Sequence, residues 1–418
     1  MVRRPEPSQL DDSQRRVSAA IAERLRSGGH QAWLVGGCVR DLALGRPAKD
    51  VDVTTDARPE AVERLFRQTI GVGRAFGTVV VADFEHPVEV TTFRTERGYS
   101  DGRRPDEVAY SDTPEEDAQR RDFTCNALYL DPLTGELRDP TGGMADLERG
   151  VLRAVGDAEE RFREDSLRLL RLVRFAATLD LSVDAGTYRA AKATSELLPR
   201  IARERVLHEL VKMADEGDLA RGARLLDELD LWGGAFGDAH ELSQEHLRVL
   251  SELPRGPGAA LGLAALLAYA GVGADVRTTA LATLEGLKPP RELLRSVDGL
   301  LRGLELLLDG ARLADLVRAR ERVRSTEWRT LVAAYVRAGE CLDTTHLARL
   351  DAVLADWPDE RSLPAPLLDA NALVALGFER GPRLGETLRA LVDAQVEGAV
   401  CTADDARAFA LRRLADGS

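Results

Sequence analysis

The sequence has few of the residues that mark disulfide-rich, zinc-binding or membrane proteins. Its 418 residues include four cysteines, Cys38, Cys125, Cys341 and Cys401, and none forms a CxxC pair. The six histidines form no HExxH sequence, which excludes that zinc-hydrolase motif. No apolar run approaches the ~20 residues of a membrane span, and the first residues lack the apolar core of a signal peptide. We therefore expect a cytoplasmic protein with reduced thiols and no membrane contact.

Lysine is almost absent from the chain. Of the 57 basic residues, only Lys49, Lys192, Lys212 and Lys288 are lysines, and the net charge is −13. An acidic protein does not bind nucleic acid indiscriminately, although a local basic strip can still hold RNA. Any such strip must therefore consist of arginine.

The stretch AWLVGGCVRDLALGRPAKDVDVTT, residues 32–55, carries the strongest signal. It predicts a strand, a turn at Gly36 and Gly37, a short helix and a second strand. Two glycines let the backbone turn sharply and approach a ligand closely. Asp50 and Asp52 would share one face of the second strand, where two carboxylates repel each other unless a divalent cation lies between them. A phosphate-binding turn beside such a Mg²⁺ site is what nucleotidyl transfer requires.

The following segment predicts two antiparallel strands, 78–83 and 87–93. Glu89 on the second strand is either an exposed strand residue or a third acid beside Asp50 and Asp52. Residues 94–112 have no hydrophobic period and predict a loop.

A capping box at Thr113 predicts the start of a helix. We expect this helix to carry Arg121, Asp122 and Asn126. Asp122 and Asn126, four residues apart, would then share a face of the helix.

Four segments resemble, in order, motifs of the tRNA nucleotidyltransferases (CCA-adding enzymes) and their bacterial poly(A) polymerase relatives, in the polymerase β superfamily. They are GGCVRDLALGRPAKDVDVTT, RRDFTCNAL, EDSLRLLR and ELLPRIARERVLHELVKM. The resemblance is dense over 30–212, thin over 213–365 and recognisable again over 366–418. It implies an α+β protein with a nucleotidyltransferase head (1–140), followed by an all-helical neck (141–212), body (213–330) and tail (331–418) that binds tRNA.

The resemblance also implies a role for each motif residue. Asp50 and Asp52 would hold two Mg²⁺ ions, and Gly36 and Gly37 would offer backbone N–H groups to the triphosphate. Arg40 would add positive charge there. The ribose would be oriented by the following residues: Arg121, Asp122 and Asn126.

Asp165 and Arg168 are the candidates for choosing the base. At i and i+3 they are predicted to lie together on a helix. An ionised Asp only accepts hydrogen bonds and Arg only donates them, so the pair matches the edges of cytosine and adenine and mismatches uracil and guanine. The alternative is an ordinary surface ion pair. Arg171 and Arg174 continue the strip and could serve a base, a phosphate or the RNA.

The implied reaction is addition of CCA to the 3′ end of tRNA from CTP and ATP, without a protein partner. The alternatives are an A-adding or CC-adding enzyme and a poly(A) polymerase. A full-length loop at 94–112 counts against CC-only addition. We expect this loop to reposition Asp165 and Arg168 when the added base changes from C to A. The lack of an arginine-rich segment at GVGRAFGTVVV counts against a poly(A) polymerase. A small-molecule nucleotidyltransferase would lack the EDSLR segment.

Overall fold

A computed structural model describes residues 2–71, 77–97, 107–237, 242–268 and 274–415. The chain divides into two compact units. One comprises Met1–Glu209 with Leu225–Asp238, and the other Leu210–Arg224 with Ala239–Ser418. The finer division into head, neck, body and tail remains a prediction.

The first part of the chain alternates short strands and helices, as the sequence predicts. The elements are α1 (Asp12–Ser27), β1 (Trp33–Val35), α2 (Gly37–Ala43), β2 (Asp52–Thr55), α3 (Pro59–Leu65), β3 (Thr69–Ile70), β4 (Thr78–Val81), β5 (Val88–Thr92), β6 (Arg94–Arg97), β7 (Glu107–Tyr110), α4 (Pro114–Gln119), β8 (Tyr129–Leu130) and β9 (Leu137–Arg138). The first helix buries Val17, Ile21 and Leu25 on one face, which is the period of an amphipathic helix.

Seven of these strands form one mixed sheet in the order β3-β4-β5-β2-β1-β8-β9. The central strand β2 runs parallel to β5 and antiparallel to β1. Leu34, Val53 and Val90 are fully buried, so the sheet is fixed by apolar packing at its centre. The residues at the ends of β1, β2 and β5 therefore have fixed positions relative to one another.

Two strand predictions are wrong in detail. The second strand begins at Asp52, so Asp50 lies before it and does not alternate within it. Residues 94–97 and 107–110 are not loop but pair as an antiparallel ladder. The rest of the predicted loop, including Gly98 and Gly102, lies outside the described residues.

The chain then becomes mainly helical. The elements are α5 (Gly143–Glu148), β10 (Val151–Leu152), α6 (Ala158–Glu164), α7 (Leu167–Leu179), β11 (Ser182–Val183), α8 (Ala185–Ala193), α9 (Arg203–Glu216), α10 (Leu219–Glu228) and α11 (Trp232–Phe236). The parallel pair β10–β11 corrects the expectation that no strand follows residue 141. On α7, every residue except Arg171 and Arg174 is buried, so this helix is enclosed on nearly all sides by apolar packing.

From residue 203 onward, every described regular element is an α-helix, which confirms the all-helical prediction. These further helices are α12 (Gln244–Ser251), α13 (Ala259–Leu267), α14 (Ala274–Gly286), α15 (Arg291–Leu308), α16 (Leu313–Arg320), α17 (Ser325–Ala338), α18 (Thr344–Asp356), α19 (Ala370–Ala375), α20 (Pro382–Val396) and α21 (Ala403–Ala415). Within the described ranges, none of the helices has the length and apolar character needed to cross a membrane.

Candidate functional site

The glycine turn joins β1 to α2. Gly36 has φ 76°, a left-handed backbone conformation that residues other than glycine rarely adopt. Gly36 is also the N-cap of α2, so the first turn of this helix has no N-cap side chain. A Cβ atom on Gly36 would lie 3.7 Å from Nη1 of Arg121, so this guanidinium lies against the turn.

Asp52 and Glu89 lie side by side on neighbouring strands. The parallel register of β2 and β5 places Asp52 opposite Glu89, while Asp50 is exposed just before β2. The pKa of Asp52 is raised to about 6, chiefly by burial and then by the charges of Glu89 and Asp50, while the charge of Arg121 opposes the shift. A negative site with an arginine beside it therefore forms at the start of β2.

Arg121 is held by a buried cluster beneath the site. Its Nη2 lies 2.9 Å from Oδ2 of Asp117, and its Nε donates to the Tyr129 hydroxyl at 3.0 Å. Asp117 also pairs with Arg120 at 2.8 Å. Burial favours the neutral acid, but the charges of Arg121 and Arg120 and the Tyr129 hydrogen bond hold the pKa of Asp117 well below its usual range. The cluster fixes where the Arg121 charge lies.

Asp122 and Asn126 come together, but not on a helix. The helix α4 ends at Gln119, and Asn126 ends a short 3₁₀ turn, 124–126, so the prediction of a shared helical face is wrong. Instead, Asn126 Nδ2 donates to Asp122 Oδ1 at 3.0 Å. Arg40 donates to Asn126 Oδ1 at 2.8 Å, and Arg171 Nη2 lies 2.5 Å from Asp122 Oδ2. One hydrogen-bonded chain thus runs from α2 to α7.

Asp165 and Arg168 do not lie on one helix either. Asp165 is the C-cap of α6, and α7 begins at Leu167. Arg168 pairs with Glu164 at 2.6 Å, whereas Asp165 pairs with Arg205 on α9 at 2.8 Å. The Arg168 N–H donates to the Asp165 carbonyl at 2.9 Å, but the two side chains pair with these other residues and not with each other.

Arg171 and Arg174 have partners inside the protein. Arg171 binds Asp122 as described, and Arg174 Nε lies 2.5 Å from Glu209. Both guanidiniums also lie over the Phe175 ring, at 5.3 and 3.9 Å from its centroid, within the range of cation–π attraction. These arginines connect α7 to Asp122 of the RRDFTCNAL segment and to Glu209 of α9.

Two family descriptions match the chain. "Poly A polymerase head domain" matches residues 32–153, and "Probable RNA and SrmB- binding site of polymerase A" matches 180–240. The CCA-adding enzyme of Lactiplantibacillus plantarum is 48% identical over 193 residues, which is 46% of this chain and 47% of the relative. That of Lactobacillus delbrueckii subsp. bulgaricus is 43% identical over 239 residues, 57% and 59% of the two chains. The matched stretches thus span about half the length of these curated relatives.

A solved structure matches almost the whole chain. The Bacillus stearothermophilus CCA-adding enzyme in complex with CTP is 30% identical, with a TM-score of 0.77 over 96% of this chain and 98% of that one. The chain belongs to the CCA-adding enzyme family. A Thermotoga maritima CCA-adding enzyme complexed with tRNA-CCA is 18% identical, with a TM-score of 0.67 and 97% coverage of both chains, and shares the fold.

Some residues around this CCA-adding family site were not found from the sequence. Asp117, Tyr129, Arg205 and Glu209 hold the arginines and the aspartate of the motifs, yet each is separated in sequence from at least one of its partners. Arg205 and Glu209 do lie in the ELLPRIARERVLHELVKM segment, and their spacing puts both on one face of α9, but neither signal names their partners. Packing between helices, which spacing does not report, brings them to the site.

The acidic residues of this family member fit a divalent cation bound jointly with substrate. Within the described ranges, no group of three His, Cys, Asp or Glu residues forms a ready-made metal cage. Asp52 and Glu89 are adjacent and repel each other, and a cation would relieve that repulsion. Mg²⁺ is usually held by one or two carboxylates, with substrate phosphates and water completing its shell, and this donor set meets that requirement.

We expect Asp117→Asn to lower stability by ~3 kcal/mol, because the change leaves the mostly buried guanidiniums of Arg120 and Arg121 without their counter-charge. The measurement is the midpoint of urea unfolding, with Glu116→Gln, exposed on the same helix, as the control. Because the folded pKa of Asp117 is depressed, its stabilisation is present above the usual aspartate pKa and is lost as the pH falls below it. Equal midpoints for wild type and Asp117→Asn at neutral pH would contradict this role.

Proposed function

We propose that this chain adds CCA to the 3′ end of tRNA, using CTP and ATP and releasing pyrophosphate. The observation that carries the proposal is the arrangement around β2. Asp52 begins the strand, the glycine turn lies on its β1 side, and Glu89 lies opposite it on β5. Membership of the CCA-adding family supports the same reaction.

The protein groups around the triphosphate work by position and charge. The N–H groups after Gly36 would bind phosphate oxygens, because the N-cap glycine has no side chain to accept from them. Arg121, fixed against this turn by Asp117, would neutralise phosphate charge without having to move. In phosphoryl transfer, such positioning and charge stabilisation supply most of the catalysis.

We further propose Mg²⁺ as the metal, held by Asp50 and Asp52 with Glu89 as a third acid. When bound there, it would lower the pKa of the attacking hydroxyl and neutralise the leaving pyrophosphate. Asp52 and Glu89 are fixed by their strands, whereas Asp50 precedes β2 and is exposed. The reaction would take place in the cytoplasm, in keeping with four free cysteines.

Asp122 and Asn126 would orient the ribose, and Asp165 and Arg168 would read the base. The Asp165 carboxylate accepts a hydrogen bond from an exocyclic amino group, and Arg168 donates one to a ring nitrogen. Uracil and guanine present the reverse pattern. Two donors or two acceptors that face each other in a closed pocket cost a few kcal/mol. That cost is enough to reject uracil and guanine.

The test uses purified protein and tRNA transcripts that end before CCA, after C and after CC, each supplied with one NTP at a time. The expected result is C addition to the first two and a single A on the third. An enzyme that extends only the third transcript adds A alone, and one that stops after CC adds C alone. Long A tails on unrelated RNA would identify a poly(A) polymerase and overturn the proposal.

Removal of divalent metal should stop addition to all three transcripts. The site carries adjacent carboxylates, which without a cation would repel the triphosphate. Rates are measured after chelation with EDTA and again after Mg²⁺ is restored, with Na⁺ at equal ionic strength as the control. Unchanged incorporation in excess EDTA would contradict the metal assignment.

A further inference from the structure

Within the described part of the chain, three guanidinium groups lie over one aromatic ring on α7. The Cζ atoms of Arg40, Arg171 and Arg174 are 5.1, 5.3 and 3.9 Å from the centroid of the Phe175 ring. Arg40 belongs to α2, just after the glycine turn, whereas the other two arginines belong to α7. Because Phe175 is only 5% exposed, this contact joins the two helices inside the protein.

The aromatic ring offsets the repulsion between these like charges. The pKa of Arg174 is lowered, chiefly by burial and also by the charges of Arg171 and Arg40, while the charge of Glu209 opposes the shift. An aromatic ring has a negative face, which attracts a cation within about 6 Å. A leucine at this position would fill much of the same space but would have no such face.

Two of the arginines hold the residues that are proposed to orient the ribose. Arg40 Nη1 donates to Asn126 Oδ1 at 2.8 Å. Arg171 Nε donates to Asp122 Oδ2 at 2.8 Å. Asn126 in turn donates to Asp122 Oδ1 at 3.0 Å, and both residues are buried. Each member of the pair is therefore held by one arginine, and both arginines lie over Phe175.

Phe175 also contacts the residue that follows Asp122. The Phe123 ring lies edge-on to the Phe175 ring, with centroids 5.7 Å apart and an angle of 85° between the rings. The Phe123 N–H donates to Asp122 Oδ1 at 2.8 Å, and Arg171 donates to the other oxygen. The Phe175 ring therefore contacts a residue that holds each oxygen of the Asp122 carboxylate.

We propose that Phe175 is a positioning residue for the sugar of the incoming nucleotide. It would act through Arg40 and Arg171, which keep Asn126 and Asp122 oriented toward the ribose 2′-hydroxyl. A site built to hydrogen-bond a hydroxyl rejects the analogue that lacks it, because its buried polar groups are then left unpaired. That rejection requires polar groups that cannot turn to other partners. The inference rests on the proposed function, in which this pair orients the ribose.

The preference for CTP over dCTP tests the proposal, because a purely structural defect would slow both nucleotides alike. In Phe175→Leu, the ratio of kcat/KM for the two nucleotides, on tRNA ending before CCA, should fall about tenfold as the cation–π support is lost.

Phe66→Leu is the matched control for Phe175→Leu. Phe66 is also buried, lies edge-on to Phe84 with centroids 6.5 Å apart, and lies beneath the guanidinium of Arg24 at 5.4 Å. These residues lie outside the proposed site, so the CTP-to-dCTP ratio should stay within about twofold of wild type. If both variants changed the ratio equally, or neither did, the proposal would be overturned.

A second variant separates the charge of the ring face from its shape. Pentafluorophenylalanine in place of Phe175 keeps nearly the same outline, but its ring face no longer attracts cations. The urea midpoint should confirm that this variant folds, and the CTP-to-dCTP ratio should fall at least as far as in Phe175→Leu. An unchanged ratio would overturn the proposal, since packing alone would then suffice.

The same assays distinguish failure of this inference from failure of the proposed function. If the wild type adds no nucleotide to any tRNA, the proposed function fails, and the inference fails with it. If the wild type adds CCA and the Phe175 variants keep its preference for CTP over dCTP, only the positioning role fails.

Discussion

Replacing Asp52 with alanine should reduce nucleotide addition by about a thousandfold or more, because the proposed metal site loses the carboxylate at the start of β2. The fold should survive. The Asp52 side chain is only partly buried, whereas Val53 and Thr54, both fully buried, carry the packing of β2. Single-turnover incorporation of CTP, with circular dichroism to check folding, measures both outcomes.

Asp112→Ala is the control for this substitution, since Asp112 is an exposed aspartate of the same unit outside the proposed site. It should leave the rate within about twofold of wild type. Substantial Mg²⁺-dependent incorporation by Asp52→Ala would remove the carboxylate from the mechanism. Loss of the folded signal would instead show that Asp52 is needed for structure.

Arg168→Ala should lower the preference for CTP over UTP by roughly a hundredfold, since a buried hydrogen-bond mismatch of this kind decides the choice. Arg168 is 8% exposed and is held by Glu164 and by the carbonyl of Arg120. Its position is therefore set before any base arrives. The ratio of kcat/KM for the two nucleotides, on tRNA ending before CCA, is the measurement.

Arg163→Ala provides the matched comparison for Arg168→Ala. Arg163 is also an arginine near the α6–α7 bend, but its side chain is 51% exposed and pairs with Glu159. Its removal should leave the CTP-to-UTP ratio unchanged. If both variants lost selectivity alike, the base choice would depend on the general charge of this region and not on Arg168.

Local sequence pattern predicted the elements that position the site. The glycine turn, the helix ended by Leu44 and Gly45, and the antiparallel pair β4–β5 are all present, because each depends on residues close together in the chain. Glu89 was placed on the right strand, and the register adds that it lies opposite Asp52. The proposed roles of these residues remain predictions.

The errors arise where tertiary contacts override local spacing. An i,i+3 relation predicts a shared helix face only if the helix is continuous, and the bend after Glu164 ends α6 before Asp165 can join α7. Likewise, α4 ends at Gln119. The side chain of Asp122 is then fixed by Arg171, 49 residues later. No local pattern contains such a partner, because the packing of α7 supplies it.

The bend between α6 and α7 has a consequence for a site that must accept two bases of different size. Cytosine and adenine offer the same donor and acceptor pattern, but the purine extends further from its sugar. Asp165 is anchored to α9 through Arg205, and Arg168 to α6 through Glu164. The Arg168 N–H donates to the Asp165 carbonyl at 2.9 Å, so the backbones of the two proposed base-reading residues keep a fixed spacing. If they read both bases, only their side chains, which pair with different partners, can adjust to the larger purine.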